Sequence, residues 1–504
     1  MQGRTNRASE TSNSHTPTLE LAPVSARRTP QNLMTRRQKL RISYVLTDFL
    51  TANIAFVLFD ICRFYLQFPA TLGFTLGSFL LNWKLLLEQG LIPLFVLGVY
   101  AVSGFYNEPE RRSRITELIT TALSAVVVTL AIYFTLLVND VGLAKIAHYK
   151  LLGILFGLFF VVAYIGRYII TTGLFHSIRR GNLRFNTVII GNSPRSRKVA
   201  QQLVRTQSLY GYNIVGYVPV VGESTGPGDV SLLSFDDLRR LVDDGAISDV
   251  IIALENEDNE RTVLAVMNRL YEFDISIKVA AGSFSYLTSG IRLEDIYGEP
   301  LLEVSRSRLT ECARNLKRLG DIVAALFSLV VLAIPMAVVA LAVKLDSPGP
   351  AIYHQERVGY RRRPFRIHKF RTMVAGAEAD GPQLSRLNDA RITRIGRILR
   401  KYRIDELPQF WNVLRGEMAL VGPRPERAYY IEKIVRVAPY YTLLQQVRPG
   451  ITSWGMVKFG YATTVGEMVE RSKYDLLYIG NMSLTVDMKI LIYTIRTVLT
   501  GRGM

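Results

Sequence analysis

Cysteine is almost absent. The 504-residue chain holds two, Cys62 and Cys312, far apart in unlike segments, which excludes a disulfide framework and the spacing of a structural metal site. Histidine is nearly as scarce: His15, His148, His176, His354 and His368 are scattered, so no zinc constellation forms at helical or ribbon spacing. Residues 1–36 lack apolar periodicity and are rich in Ser, Thr, Asn, Arg and Pro, the composition of a disordered tail. They also lack a continuous apolar stretch before a small-residue cleavage site, which argues against a secretory signal peptide. Acidic residues are outnumbered, 42 Asp and Glu against 61 Lys and Arg, for a formal charge of +19. Nucleic acid, anionic lipid or phosphorylated substrates are the partners such a charge suits.

Apolar residues are abundant instead. They make up 49% of the chain, the mean hydropathy is +0.18, and both values suit a part-membrane protein of several domains. Four apolar stretches, at roughly 42–66, 78–104, 116–138 and 150–175, each approach the ~20 residues that cross a bilayer. They predict a transmembrane bundle over 42–175. Arg36, Arg37, Lys39 and Arg41 precede the first stretch, Arg111, Arg112 and Arg114 follow the second, and Arg179, Arg180 and Arg184 follow the fourth. By the positive-inside rule both ends of the bundle face the cytoplasm, and so does the chain after residue 184. Asp48 and Arg167 then lie at similar depth. Pairing is predicted, the alternative being that each snorkels separately to the interface. A membrane anchor also makes nucleic acid an unsuitable partner.

From residue 184 the periodicity changes to short β-rich runs, Asn186 to Ile190, Asn213 to Tyr217, Asp249 to Leu254 and Ser276 to Ala280, alternating with polar helical stretches. That is the pattern of a parallel, Rossmann-like α/β module over 184–300. Its first turn, Gly191-Asn192-Ser193-Pro194-Arg195-Ser196, keeps only the first glycine of G-x-G-x-x-G. The missing glycines favour a structural or regulatory role over dinucleotide binding.

A fifth apolar segment, Asp321 to Val343, is flanked on both sides by cations: Arg314, Lys317 and Arg318 before it, a run from Arg357 to Arg371 after it. Both flanks ask to be cytoplasmic, and Pro335 interrupts the segment. A re-entrant membrane helix over 314–345 is predicted in preference to a kinked fifth crossing. The basic run, interleaved with Tyr360, Phe365 and Phe370, suits a phosphate or a lipid headgroup. An amphipathic stretch, Thr393 to Arg403, is predicted to lie in the membrane plane. It leads into Asp405-Glu406-Leu407-Pro408-Gln409, where Pro408 suits a first helical turn. The two carboxylates then sit at a helix N-terminus, as caps or as an ionised nucleophile beside a phosphate site.

Residues from about 314 to 504 resemble the catalytic domain of the bacterial sugar transferases, the monotopic phosphoglycosyl transferases. The resemblance runs in order through Lys317-Arg318 with Asp321, Pro335, Ser347-Pro348-Gly349-Pro350, Gln355-Glu356-Arg357-Val358-Gly359 and Lys369-Phe370-Arg371-Thr372-Met373. It continues through Arg391 to Arg400, Asp405-Glu406-Leu407-Pro408-Gln409, Val421-Gly422-Pro423-Arg424-Pro425 and Arg448-Pro449-Gly450-Ile451-Thr452. With the bundle and α/β module ahead, the chain looks like the large form of the family. The resemblance implies a cytoplasmic, α-rich catalytic domain over 346–504 on a bacterial inner membrane, with membrane lipids around it and a homodimer as its assembly. It implies transfer of a hexose-1-phosphate from UDP-glucose or UDP-galactose to undecaprenyl phosphate, releasing UMP and initiating exopolysaccharide, capsule or O-antigen synthesis. Asp405 would be the covalent nucleophile and Glu406 would help it hold Mg²⁺; Lys369, Arg371, Arg400 and Arg424 would bind phosphate, and Pro335 would break the re-entrant helix. Two departures stand out. Gly376 occupies a place where many members carry Asp, and Ser453-Trp454-Gly455-Met456 replaces the usual Gly-Trp-Ala-Gln, so sugar identity stays open. A regulatory scaffold and a transporter are the competing readings. The intact Asp405-Glu406 pair opposes the first, and the shortage of buried charge in the crossings opposes the second.

Overall fold

The computed structural model describes residues 33–67, 75–107, 109–137, 145–207, 211–220, 232–255, 260–270, 273, 275–280, 301–303, 309–377, 381–384 and 389–500. Residues 1–32 of the expected tail and 281–300 of the expected module lie outside these residues; 33–36 open the first helix, and a strand at Leu301–Glu303 carries the module's sheet just past the expected end at 300.

Four long helices, Leu33–Gln67, Trp83–Val102, Arg114–Ile132 and Lys145–Arg179, coincide with the first four apolar stretches. The segments Gln38–Leu66, Trp83–Val102, Arg114–Leu136 and Tyr149–Arg179 are long and apolar enough to cross a membrane. Their packing is that of a membrane protein: Tyr44, Phe56, Val96, Tyr100, Leu151 and Phe159 fill the bundle core, while Leu46, Leu50, Leu94, Leu123 and Ile169 point outward, exposed. Such outward leucines are stable only where the surroundings are apolar.

Asp48 and Arg167 pair, as predicted. Arg167 Nε donates to Asp48 Oδ1 at 2.8 Å and Nη2 to Oδ2 at 3.0 Å, with both side chains fully buried. Tyr106 Oη donates to Asp48 at 2.8 Å, Arg167 Nη1 donates to Thr121 at 2.7 Å, and the guanidinium lies 3.6 Å from the Phe105 ring centroid. Every helix of the bundle or its adjoining loop thereby contributes a partner, which a buried charge requires.

The α/β module forms a five-stranded sheet ordered β2-β1-β3-β4-β5, with β1 at Phe185–Ile190, β2 at Tyr212–Val218, β3 at Asp249–Ile252, β4 at Ser276–Ala280 and β5 at Leu301–Glu303. The first four strands are parallel and β5 is antiparallel to β4. Side chains alternate between the two faces. Val188 and Ile190 of β1 join one apolar cluster with Leu238 and Leu270, and Ile189 joins another with Val199 and Leu203, so helices cover both faces. In the first turn the sixth position of the expected glycine pattern holds Ser196, fully buried, whose hydroxyl donates to the Ala253 carbonyl at 2.6 Å. It cross-links the turn to the end of β3 where a glycine would leave space.

The fifth apolar segment forms two helical arms, Glu311–Val331 and Ala333–Asp346, bent by 63°. The break falls at Leu332, three residues before Pro335, the position that the sequence alone marks. The reason is steric: a proline ring clashes with the carbonyl four residues earlier, here Val331, so that the helix fails ahead of the proline. Phe327, Val330, Ile334 and Val338 around the elbow are exposed. The open ends of the arms pack against one body. Ala325 of the incoming arm meets Phe365 and Ile367, and Val343 of the outgoing arm meets Phe370 and Leu399. Phe365, Ile367 and Phe370 belong to one strand, β7 (Pro364–Phe370), which forms a hairpin with β6 (Ile352–Val358). The incoming arm also docks on the bundle, where Arg112 reaches Glu311 at 3.2 Å and Asn315 Nδ2 donates to Ala101 O at 2.9 Å. Gly104 (φ +84°) permits that approach, since a Cβ there would stand 2.5 Å from Glu311 Cβ.

Replacing Arg167 with Leu strands the Asp48 carboxylate, and the expected loss is roughly 3 kcal/mol of stability. Asp48→Leu in the same chain should recover most of it in thermal unfolding of the detergent-solubilised protein. A double variant that is less stable than Arg167→Leu alone would disprove the dependence of one charge on the other.

Candidate active site

The basic run and the Asp-Glu pair meet because β7 and the turn Ile404–Gln409 lie side by side. The amphipathic stretch forms the helix Arg394–Lys401, capped by Thr393. It lies on the chain just beyond β7 through Gly396, where a Cβ would collide with the Thr372 carbonyl oxygen. Arg403 then takes a left-handed conformation (φ +53°), costly for a residue with a side chain, and turns the chain into the 3-10 segment Ile404–Gln409 with Asp405 and Glu406 in its first turn. Pro408 suggests an α-helical start at this point; the helix Phe410–Arg415 instead begins one turn later.

Both carboxylates are buried but differ in surroundings. Glu406 is surrounded by cations: Lys369 Nζ at 2.9 Å, Arg424 Nη2 at 3.2 Å and Arg403 Nη1 at 3.5 Å. Burial alone would raise its pKa; Lys369, Arg424 and Arg403 overcome this and hold the carboxyl well below the usual carboxylate range. Asp405 accepts no hydrogen bond or ion pair among the described residues. Burial, then the adjacent Glu406 charge, push its carboxyl up to about 6, against the pull of Lys369, Arg400 and Arg424. Burial likewise lowers the pKa of Lys369. One carboxylate is therefore a fixed anion that organises cations, and its neighbour keeps free lone pairs in their field.

The remaining predicted residues divide. Arg400 donates through Nε to Thr372 Oγ1 at 2.8 Å, and its charge is felt at Asp405. Arg371 is elsewhere. Its guanidinium donates to Pro348 O at 2.9 Å and to the carbonyl and hydroxyl of Ser347, tying β7 to the end of the outgoing arm. Gly349 (φ +123°) makes room, because a Cβ there would collide with Arg371 Nη1. Engaged in this way, Arg371 latches β7 to the end of the outgoing arm, and its described contacts are with the chain itself.

Three residues that hold the site escape a reading of the sequence. Arg403 stands three residues before Glu406, a spacing at which helical side chains meet, and that signal is present in the chain. Glu426 bridges Arg357 at 3.1 Å and Arg471 at 2.7 Å, with partners 69 and 45 residues away. Asp475 accepts the Gly455 N–H at 2.8 Å. No local pattern announces either pairing. Removing the Glu406 charge leaves three cations without their anion, so Glu406→Gln is expected to lower stability at neutral pH by roughly 3–5 kcal/mol, measured by thermal or denaturant unfolding. A variant as stable as the parent would show that the cations are solvated rather than held by Glu406.

A family model described as "Bacterial sugar transferase" matches residues 312–501. The UDP-N-acetylgalactosamine-undecaprenyl-phosphate N-acetylgalactosaminephosphotransferase of Aeromonas hydrophila is 45% identical over 188 residues, covering 37% of this chain and 44% of that protein. The UDP-glucose:undecaprenyl-phosphate glucose-1-phosphate transferase of Escherichia coli K12 is 34% identical over 313 residues, 61% of this chain and 66% of that one. A protein described in the same words from Caulobacter vibrioides is 43% identical over 188 residues, 36% of this chain and 70% of its own. The chain spans less than two thirds of the length of the first two of these relatives. The paired carboxylates, the cations on β7 and the loop of Arg424 all fall inside the matched region, and the chain belongs to the bacterial sugar transferase family.

Proposed function

We propose that the protein moves a hexose-1-phosphate from a UDP-sugar to undecaprenyl phosphate at the cytoplasmic face of a bacterial inner membrane. The observation that carries this reading is the asymmetry of the two carboxylates: Glu406 is paired with three cations, while Asp405 beside it accepts no bond among the described residues. An ionised carboxylate with free lone pairs in a cationic pocket suits attack on phosphorus.

In the first displacement an Asp405 oxygen forms a bond to the sugar-bearing phosphorus. The bond from that phosphorus to the bridging oxygen breaks, and UMP leaves with the electron pair. In the second, an oxygen of undecaprenyl phosphate attacks the same phosphorus, the Asp405 bond breaks, and undecaprenyl-diphosphate-sugar forms. Lys369 and Arg424, anchored on Glu406, and Arg400, anchored on Thr372, stand where the phosphate charge gathers. The 63° bend at Leu332 and the packing of both arms against one body support a re-entrant helix. A reaction centre held at its base meets a phosphate headgroup without pulling the lipid tail from the bilayer.

Mg²⁺ belongs to the same proposal. Among the described residues no three metal-ligating side chains gather, so Asp405 and Glu406 would hold the ion together with oxygens of the substrate diphosphate, a donor set that Mg²⁺ commonly takes. When bound it supplies further neutralisation of phosphate charge. The order of the α/β strands and their helices on both faces support a Rossmann-like module. The dimer and the role in exopolysaccharide, capsule or O-antigen synthesis are carried by family likeness.

The reading is tested by UMP release from full-length protein in nanodiscs with Mg²⁺, undecaprenyl phosphate, and UDP-glucose, UDP-galactose or UDP-N-acetylgalactosamine in turn. One donor should support release, and Asp405→Asn should reduce it on the order of 10³-fold or more with the fold intact. Unchanged release by Asp405→Asn would remove Asp405 from the chemistry. Only the ionised Asp405 is nucleophilic, so kcat/KM for the donor should fall as pH drops below about 6 and level off above it. A profile flat from pH 5 to 8 would contradict this assignment.

A further inference from the structure

Gln445 is the least satisfied side chain near the site. It is buried, and neither its amide nitrogen nor its amide oxygen has a hydrogen-bond partner among the described residues. Orphaned amides are costly and uncommon in folded interiors. Gln445 borders a cavity that is also lined by Pro423, Arg424, Pro425, Glu426 and Tyr441, with a volume of about 20 Å³. That space has room for one water and is too small for a uracil or hexose ring. Arg424, which lines this cavity, also donates to Glu406 at 3.2 Å.

Gln445 also belongs to the 3-10 segment Pro439–Gln446, which contacts the α/β module, as does Arg362 through the Asn268 carbonyl at 3.4 Å. Asn268 of the module's helix Glu260–Leu270 donates to Pro439 O at 3.3 Å and accepts from the Thr442 hydroxyl. Leu443 packs into the module's apolar core. Thr442 and Gln445 are three residues apart, one turn of a 3-10 helix. A single rigid segment therefore touches the module with one turn and the Arg424 loop with the next.

We propose that Gln445 is a positioning residue for Arg424: through a water in this cavity it holds the Pro423–Glu426 loop, and through Thr442 and Asn268 it ties that loop to the α/β module. The module then sets the phosphate-binding geometry without contributing a group to it. The kinetic part of this proposal rests on the sugar-phosphate transfer proposed above; the structural part does not.

The test uses Gln445→Leu, Asn268→Ala and their double variant in the full-length protein in nanodiscs. Each single change is expected to lower kcat/KM for the UDP-sugar about tenfold, and the double variant also about tenfold, because coupled residues are not additive. Hydrogen exchange gives a reading independent of activity. The Val358 and Gly450 amides donate to Glu426 O and Pro423 O at 3.0 and 2.9 Å, and their exchange should quicken in all three variants while amides of the transmembrane bundle keep their rates. Additive losses near a hundredfold, or unchanged exchange at Val358 and Gly450, overturn the proposal. If the parent protein itself releases no UMP, the transfer reading fails, and the exchange measurement still decides the role of Gln445.

Discussion

Glu406 holds a charge out of water, and much of the catalytic region is arranged to make that tolerable. A buried carboxylate needs counter-charges at contact distance, and long cationic side chains reach it only if their own backbones are fixed. β7 delivers Lys369, the strained turn at Arg403 delivers a second cation, and the loop behind β8 (Ala419–Val421) delivers Arg424. The same concentration of cations that stabilises Glu406 leaves a positive field over Asp405. Burial raises the Asp405 pKa and that field lowers it, so one arrangement serves both the stability of the pocket and the ionisation of Asp405.

Behind this first ring of charges lies another. Glu426 joins Arg357 to Arg471, and Asp475 receives the Gly455 N–H, so the loop of Arg424 is held by buried polar contacts rather than by apolar packing alone. Such contacts are directional, and an apolar wall of equal area would allow the loop to slide. The bundle uses the same physics at Asp48 and Arg167, where the hydrocarbon surroundings make an unpaired charge costlier still.

The two arms of the bent helix pair and the Asp405-Glu406 pocket are joined by one strand. Phe365 and Ile367 pack against the incoming arm and Phe370 against the outgoing arm, and Lys369, between Ile367 and Phe370, points its amine at Glu406. Arg371 holds the carbonyls where the outgoing arm ends. The position of both arms is thus tied to the Asp405-Glu406 pocket through a single strand.

Elements whose cause is local are legible in the amino-acid order. Four apolar runs of bilayer length make four helices, a change of period to two makes the strands of a parallel sheet, and a proline among flanking cations marks the bent pair. Asp405, Glu406, Lys369, Arg400 and Arg424 are readable as one chemical set because the motif order carries them. How these residues are shared out is settled only in the folded chain. That Arg371 latches the outgoing arm, that Leu332 rather than Pro335 is the corner, that Glu406 takes all three cations, and that Gln445 borders a cavity beside the Arg424 loop depend on packing that no short window of sequence contains. Hydrophobic period and local spacing record which face of an element is buried; they carry no record of which distant charge will be waiting there.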